Sequence, residues 1–155
     1  MAKYKNTHYY EAPRMFWTVN YEHKYDEKLK RNVYKTADGD KYKKFHELSV
    51  YSKWLYQTLK EMEHRYTGKE NDTYTVVFEG VKNPKNWFYA GIEKLSYLSG
   101  ISPSQIKRCK KELMDAGLIK TCVCHLLDKR DEKTRIHVTG YRVFGETELK
   151  FEPYL

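Results

Sequence analysis

The segment from Asn86 to Ile119 constrains the fold of this chain more than any other part of the sequence. It runs NWFYAGIEKLSYLSGISPSQIKRCKKELMDAGLI, a pattern that predicts a strand, a helix, a tight turn, a second helix and a glycine stop. In the first helix, Ile92, Leu95 and Leu98 recur at every third position and predict one apolar face. Gly100 can adopt the positive φ that a sharp turn requires. The arrangement predicts a helix-turn-helix.

The second helix carries signals at both of its ends. Ser102 is predicted to cap the N-terminus, because a serine hydroxyl can accept the free N–H groups of the first turn. Pro103 stands where a missing N–H costs nothing, and Gln105 completes a capping-box pattern. Gly117 is the candidate stop, after which the chain returns to the core. The buried face of this helix is predicted to contain Ile106, Cys109 and Leu113.

The opposite face of the second helix is polar and basic, with Ser104, Arg108, Lys111 and Asp115 opposite the apolar positions. A recognition helix usually contacts bases through its N-terminal residues, and its later basic residues reach phosphates. Arginine can bind guanine, and glutamine can bind adenine, through two hydrogen bonds. An amphipathic helix with a solvated basic face is the alternative. The candidate DNA contacts on this helix are Ser102, Ser104, Gln105, Lys107, Arg108, Lys110 and Lys111, of which Ser104, Gln105 and Arg108 are the candidates for base edges.

Two predicted strands follow, Lys120–Leu127 and Arg135–Phe144, and Gly140 interrupts the alternation of the second one as a β-bulge would. The charged loop between them, DKRDEKT at 128–134, is predicted to be a wing that reaches the DNA backbone or a minor groove. A solvated hairpin loop is the alternative, since three acidic residues lie among the basic ones. The candidate DNA contacts in this region are Lys129, Arg130, Lys133 and Arg135.

Upstream, residues 45–66 predict a long helix that packs across the other two, with Ser49 as its N-cap. Strands are predicted at Tyr74–Phe78 and Trp87–Tyr89. The apolar face of the long helix is predicted to contain Tyr51, Leu55, Leu59, Met62 and Tyr66, with Val50 and Trp54 beside it.

Residues 1–44 are rich in tyrosine, lysine and arginine. RMFWTVNY at 14–21 predicts a strand, Lys30–Tyr34 its hairpin partner, and Asp38–Asp40 a turn. Interleaved aromatic and basic side chains can stack on nucleic-acid bases. A hairpin that packs on the core or pairs two subunits is the preferred interpretation.

Composition restricts the classes of function. The chain has 155 residues and a formal net charge of +8, and basic residues outnumber acidic ones between 101 and 145. This balance fits a nucleic-acid partner. No apolar run approaches the roughly 20 residues that a membrane span needs, and no signal peptide is visible. No nucleophile motif, phosphate-binding glycine loop or carboxylate cluster is present, so we expect no enzyme.

The three cysteines are an odd number, which favours free thiols in a reducing cytoplasm over a disulfide framework. Cys122, Cys124, His125 and His137 raise the question of a zinc site, because thiolates and imidazoles bind zinc. The spacing lacks the usual two to four residues between the cysteines, so core cysteines are the preferred interpretation. We expect neither a metal nor a cofactor.

The segments LSVYSKWLYQTL and WFYAGIEKLSYLSGISPSQIKRCKKELMDAGLI, together with the intervening strands and the wing, resemble the N-terminal winged-helix domain of plasmid replication initiators of Gram-positive bacteria. They are also similar to the winged-helix region of phage replisome organisers. The resemblance covers roughly residues 45–145. It implies a domain that binds repeated double-stranded DNA sequences at a replication origin, usually as a homodimer, through the helix Ser102–Ala116 and the wing.

Members of that family carry a further C-terminal domain that recruits the replication machinery, and this chain ends at Leu155. The chain is therefore expected to be either a fragment of such an initiator or a stand-alone DNA-binding protein. Two other functions stay open. One is a stand-alone transcriptional repressor or conjugation accessory protein that binds an operator or a transfer-origin region. The other is a winged-helix protein-interaction module.

The expected fold class is α+β, a winged helix-turn-helix with a three-helix core, a small antiparallel sheet and a wing. The expected organisation is a β-rich N-terminal arm at 1–44, the winged helix-turn-helix at 45–145, and a short acidic tail at 146–155. We expect a cytoplasmic DNA-binding protein without catalysis.

Overall fold

A computed structural model of the chain describes residues 21–36, 43–67, 71–131 and 133–145. These ranges form a mixed α+β fold, as the sequence predicts. The strands and helices in chain order are β1 (Tyr21–Asp26), β2 (Arg31–Thr36), α1 (Lys43–His46), α2 (Val50–Tyr66), β3 (Tyr74–Phe78), β4 (Trp87–Ala90), α3 (Ile92–Ser99), α4 (Pro103–Asp115), β5 (Ile119–Asp128) and β6 (Arg135–Val143).

Four of the strands form one antiparallel sheet in the order β3-β5-β6-β4. Strands β5 and β6 are a hairpin that pairs without interruption from Ile119 opposite Val143 to Leu127 opposite Arg135. Among the described strands, β3 pairs with β5 alone and β4 pairs with β6 alone. The two shorter strands, whose positions the sequence predicts, therefore lie at the edges of this sheet.

The core lies between the helices and one face of this sheet. Each of α2, α3 and α4 contributes fully buried side chains, among them Leu59, Leu95 and Leu113. Phe88 on β4 and Tyr141 on β6 are cross-strand partners, and their rings stack with centroids 5.8 Å apart. Burial of these large apolar groups is the main favourable contribution to folding.

The single helix predicted at 45–66 is two helices, and the second one begins after its N-cap at Ser49. Ser49 has an extended backbone, and its side chain accepts a hydrogen bond from the Ser52 N–H, so α2 begins at Val50. The short helix α1 ends just before, at His46. The Ser49 N–H also donates to the Glu112 carboxylate at 3.3 Å, which ties the start of α2 to α4. The predicted N-cap is confirmed.

The prediction of the apolar face of α2 is partly wrong. Leu55, Leu59 and Met62 are buried as predicted, but the core also takes Tyr56 and Ser52. The exposed side chains that the sequence placed on or beside that face are Val50 (78%), Tyr51 (53%), Trp54 (51%) and Tyr66 (40%). The helix carries apolar and aromatic residues on two sides, and only one side faces the core.

Gly140 interrupts the alternation of apolar residues in β6, but it does not form the predicted β-bulge. Gly140 pairs with Cys122 in an unbroken register. A Cβ at this position would lie 2.8 Å from both the Cys122 sulfur and the Phe78 ring, closer than real carbon contacts allow. The glycine is therefore required because the Phe78 side chain packs directly over the backbone of β6.

The N-terminal hairpin has a different register from the predicted one. Its first strand is β1, which pairs with β2 from Tyr21 opposite Thr36 to Asp26 opposite Arg31. Asp26 sets the turn, because its carboxylate accepts hydrogen bonds from the N–H groups of Lys28 and Leu29. The predictions at 14–20 and 38–40 lie outside the described residues, as does the predicted tail at 146–155.

Candidate nucleic-acid interface

The turn between α3 and α4 follows the sequence prediction closely. Gly100 has φ +76°, and its N–H donates to the Ser96 carbonyl at 2.9 Å to end α3. Ile101 is 3% exposed and fills the space between the two helices. The Ser96 hydroxyl donates to the Ile101 carbonyl at 2.7 Å, which fixes the chain between them. Leu98, predicted for the apolar face, is instead 44% exposed.

The N-terminus of α4 is capped as predicted. The Ser102 hydroxyl accepts a hydrogen bond from the Gln105 N–H at 3.4 Å, and Pro103 occupies the first helical position. Ser102 and Ser104 are exposed and Gln105 is half-buried. Free N–H groups at a helix N-terminus favour anionic groups such as phosphate. This end of α4 therefore offers polar groups of the kind that contact nucleic acid.

Loss of this cap is expected to destabilise the protein moderately. We expect Ser102→Ala to lower the free energy of unfolding by about 1 kcal/mol, because the Gln105 N–H loses its acceptor in the cap. Urea unfolding followed by circular dichroism measures the difference. Ser104→Ala removes a neighbouring exposed hydroxyl and serves as the control. An equal loss in both variants would contradict the capping role.

The two faces of α4 are divided as the sequence predicts. Ile106, Cys109 and Leu113 are buried against the rest of the core. Ser104, Lys107, Arg108, Lys111 and Asp115 are all exposed. Within the described residues, the side chains of Lys107, Arg108 and Lys111 form no salt bridge. The helix therefore presents cations that no acidic side chain of the described chain neutralises.

Lys110 differs from the other basic residues of α4. Its side chain is half-buried, and its ammonium lies 5.2 Å from the centroid of the Tyr141 ring. Burial, and then the positive charge of Lys107, lower the pKa of Lys110 below its usual value. The geometry is that of a cation–π contact with the sheet. Lys110 thus lies on the flank of the basic face rather than at its centre.

The end of α4 leads directly into β5. Gly117 has φ +76°, its N–H donates to the Met114 carbonyl, and the Leu118 N–H donates to the Leu113 carbonyl, each at 3.0 Å. These two bonds form a Schellman motif, which satisfies carbonyls at the end of the helix. The predicted glycine stop is confirmed, and the orientation of α4 is fixed relative to β5.

The predicted wing lies between β5 and β6, and its aspartates hold the backbone of the turn. The Asp128 carboxylate accepts from the Arg130 N–H at 2.8 Å. The Asp131 carboxylate accepts from the Lys133 N–H at 3.1 Å and from the Thr134 hydroxyl at 2.8 Å. Asp128 and Asp131, two of the three acidic residues that made a solvated hairpin loop the alternative interpretation, therefore help to shape this turn.

The four basic candidates in this region are all exposed, but they are not equivalent. The Lys129 ammonium donates to the Asn71 carbonyl at 2.6 Å, and its N–H donates to the Thr73 carbonyl. Lys129 therefore ties the turn to the segment before β3. Arg130, Lys133 and Arg135 form no salt bridge within the described part of the chain and point their charge to solvent.

Exposed apolar side chains next to the helix-turn-helix were missed as functional candidates. Tyr97 on α3 is 86% exposed, beside the exposed Leu98. Trp54 on α2 donates from its indole N–H to the Ser99 carbonyl at 2.7 Å, which brings it to the same turn. The available signal was the second apolar stripe of α2, which begins with Val50 and Tyr51. A surface of this kind next to the turn is suited to a partner's apolar group.

The cysteines and histidines of β5 and β6 do not form a metal cluster. Alternation along β5 places His125 on the face opposite Cys122 and Cys124. Burial raises the pKa of the Cys124 thiol to about 12 and also raises that of Cys122, so both favour the neutral thiol. In the described ranges no group of three His, Cys, Asp or Glu side chains could hold a metal ion. His125 instead contacts the Glu79 carboxylate at 2.8 Å.

None of the helices in the described ranges is both long enough and apolar enough to cross a membrane. Comparisons with protein-family models, with curated proteins and with solved structures found no match to this chain.

Proposed function

We propose that this protein binds double-stranded DNA in a sequence-specific manner through a winged helix-turn-helix, acting by binding and not by catalysis. The observation that carries this proposal is the contrast between the two faces of α4. One side is buried through Ile106, Cys109 and Leu113, and the other presents Lys107, Arg108 and Lys111, which form no salt bridge with any described residue. An α-helix with such a face fits the major groove of B-DNA.

The arrangement of elements supports this assignment. Helix α2 packs on α4 and α3, the turn between α3 and α4 is tight, and the hairpin β5–β6 follows α4 directly. In the proposed complex, Ser104, Gln105 and Arg108 contact base edges. Lys107 and Lys111 neutralise phosphates, and Arg130, Lys133 and Arg135 extend the contacts along the backbone.

The physiological role that we propose is replication initiation on a plasmid or another mobile element, at repeats within an origin and in the cytoplasm. The support for this role is the resemblance of residues 45–145 to the initiator family. A repressor or conjugation accessory protein would use the same α4 face, so the position of the target site separates these roles. A homodimer and recruitment of replication or transfer machinery belong to the same proposal.

A winged-helix protein-interaction module is the second candidate, and one observation favours it. Val50, Tyr51, Trp54, Tyr97 and Leu98 expose apolar surface next to the helix-turn-helix. This surface does not coincide with the basic face of α4, so both functions are compatible with one molecule. If the basic face binds no DNA, the interaction module becomes the better proposal.

Selection of genomic fragments tests the proposal directly. Purified protein is incubated with sheared DNA of the source replicon at moderate salt, and the bound fragments are sequenced. We expect enrichment of one locus, because base contacts typically add 10³-fold or more to the affinity for the specific site. An array of repeats at an origin would support initiation, and an operator beside a promoter would support repression. Binding without preference, or no binding by the folded protein, would contradict sequence-specific recognition.

A further inference from the structure

The outer edge of β3 is open in the described structure. Strand β3 has β5 on one side and no strand on the other. Its sequence, YTVVF, contains no charged residue and no proline, and Val77 is 43% exposed. Natural proteins usually protect such an edge with lysine, proline or a bulge, because an exposed edge pairs readily with another strand.

The hydrogen-bonding groups on this edge form a short, defined set. The Glu79 N–H donates to the Val123 carbonyl, and the Lys129 N–H donates to the Thr73 carbonyl. Since antiparallel bonds alternate along a strand, odd-numbered residues of β3 point their backbone groups to β5 and even-numbered residues point theirs outward. Two outward groups are already used: the Tyr74 N–H donates to the Asn71 side chain, and the Phe78 carbonyl accepts from Val81.

Four outward groups remain without a partner in the described chain: the Tyr74 carbonyl, the Val76 N–H, the Val76 carbonyl and the Phe78 N–H. This set is complementary to itself about a two-fold axis at Val76. In an antiparallel pair of two β3 strands, each Val76 N–H faces the Val76 carbonyl of the other copy. Each Phe78 N–H faces the other Tyr74 carbonyl. All eight free groups are then satisfied in four intermolecular hydrogen bonds.

The side chains fit the same register. Val76 opposes Val76, Thr75 opposes Val77, and Tyr74 opposes Phe78, so every cross-strand pair joins β-branched or aromatic residues. At the ends, Glu79 of one copy opposes Thr73 of the other. Lys129, the residue directly after β5, donates its N–H to the Thr73 carbonyl, so opposite charges share one row of the extended sheet. No like charges meet within the shared strands.

We propose that two copies of this chain associate through antiparallel pairing of their β3 edges, which joins their four-stranded sheets into one of eight strands. The contact is isologous and closes as a dimer, since each copy uses the same surface. It lies on the sheet and not on the basic face of α4, and it is tested without DNA. The inference names the surface that would form the homodimer included in the proposed function, and a failure of dimerisation is distinguished from a failure of DNA binding because the two are measured separately.

The experiment is analytical ultracentrifugation of the full chain over micromolar to millimolar concentrations. We expect the wild type to change reversibly from monomer to dimer. Thr75→Lys/Val77→Lys gathers four lysines around the two-fold axis, and we expect it to remain a monomer throughout. The matched control is Val123→Lys on β5, because Val123 is 46% exposed on the same face of the sheet but not on its edge. This control is expected to dimerise like the wild type.

A second variant covers the case in which the double substitution does not fold. Val76→Pro removes only an N–H that points away from β5, so the pairing of β3 with β5 is retained. We expect the dimer dissociation constant to rise about tenfold or more, with unchanged circular dichroism. A wild type that is monomeric at every concentration would overturn the proposal. So would a dimer that persists in folded Val76→Pro, because the contact would then lie elsewhere.

Discussion

Replacement of Arg108 by alanine is expected to weaken binding to the selected DNA site by about 1–3 kcal/mol and to relax specificity at one base pair. Arg108 is exposed on α4, its guanidinium has no acidic partner in the described residues, and it lies six residues after the Ser102 cap, in the first half of the helix. A guanidinium in this position can bind a guanine through two hydrogen bonds. Fluorescence anisotropy with the selected site and with single-base variants measures both effects.

Lys111→Ala is the matched control for this prediction, since it removes one positive charge from the same exposed face. We expect it to weaken binding to the selected site and to random DNA alike, and to reduce the salt dependence of log K by about 1. If Arg108→Ala also lost affinity equally on both DNAs, Arg108 would be a phosphate contact and not a base-reading residue.

Leu113→Ala is expected to lower the free energy of unfolding by about 2–5 kcal/mol. The Leu113 side chain is 0% exposed and belongs to the core that joins the helices to the sheet. Its truncation removes buried apolar surface and leaves a cavity in a close-packed interior. Denaturant unfolding monitored by tryptophan fluorescence gives the change in the free energy of unfolding. A loss of this size is a large fraction of the total stability of a small domain.

The adjacent residue provides the control. Met114 is 44% exposed on the same turn of α4, so Met114→Ala changes helix composition without opening a core cavity. We expect its effect to stay within about 0.5 kcal/mol of the wild type, as is usual for surface substitutions. Comparable losses in the two variants would mean that Leu113 does not occupy the core position described above.

The helix-turn-helix was predictable from sequence because its determinants are local. Ser102, Pro103, Gly100 and Gly117 each fix a backbone conformation within a few residues, and the structure places each of them as expected. The exposed face of α4 followed from the helical period alone. Lys110 shows the limit of that argument, because its contact with Tyr141 depends on a residue 31 positions away.

The sequence predictions that the structure contradicts concern segments in which the local pattern allows more than one structure. Helix α2 carries one apolar stripe through Leu55 and Leu59 and another through Tyr51 and Trp54, and only packing chooses between them. At Gly140 the local pattern indicates a bulge, but the cause is the Phe78 ring, which comes from β3. In the N-terminal hairpin, the turn at Asp26 sets the register, and its signal was overlooked in a segment of alternating tyrosines and lysines.

The short connection from α4 to β5 has a consequence for the proposed DNA binding. Only residues 116–118 separate the helix from the strand, and the Leu118 carbonyl also accepts from the Phe144 N–H at 2.9 Å. These contacts fix the orientation of α4 relative to the start of β5 and the end of β6. On B-DNA, one inserted base pair shifts a contact by about 3.4 Å and rotates it by about a tenth of a turn. For the DNA-binding function that we propose, we therefore expect affinity to depend on the spacing between the segment contacted by α4 and the segment contacted by the turn after β5, as well as on sequence.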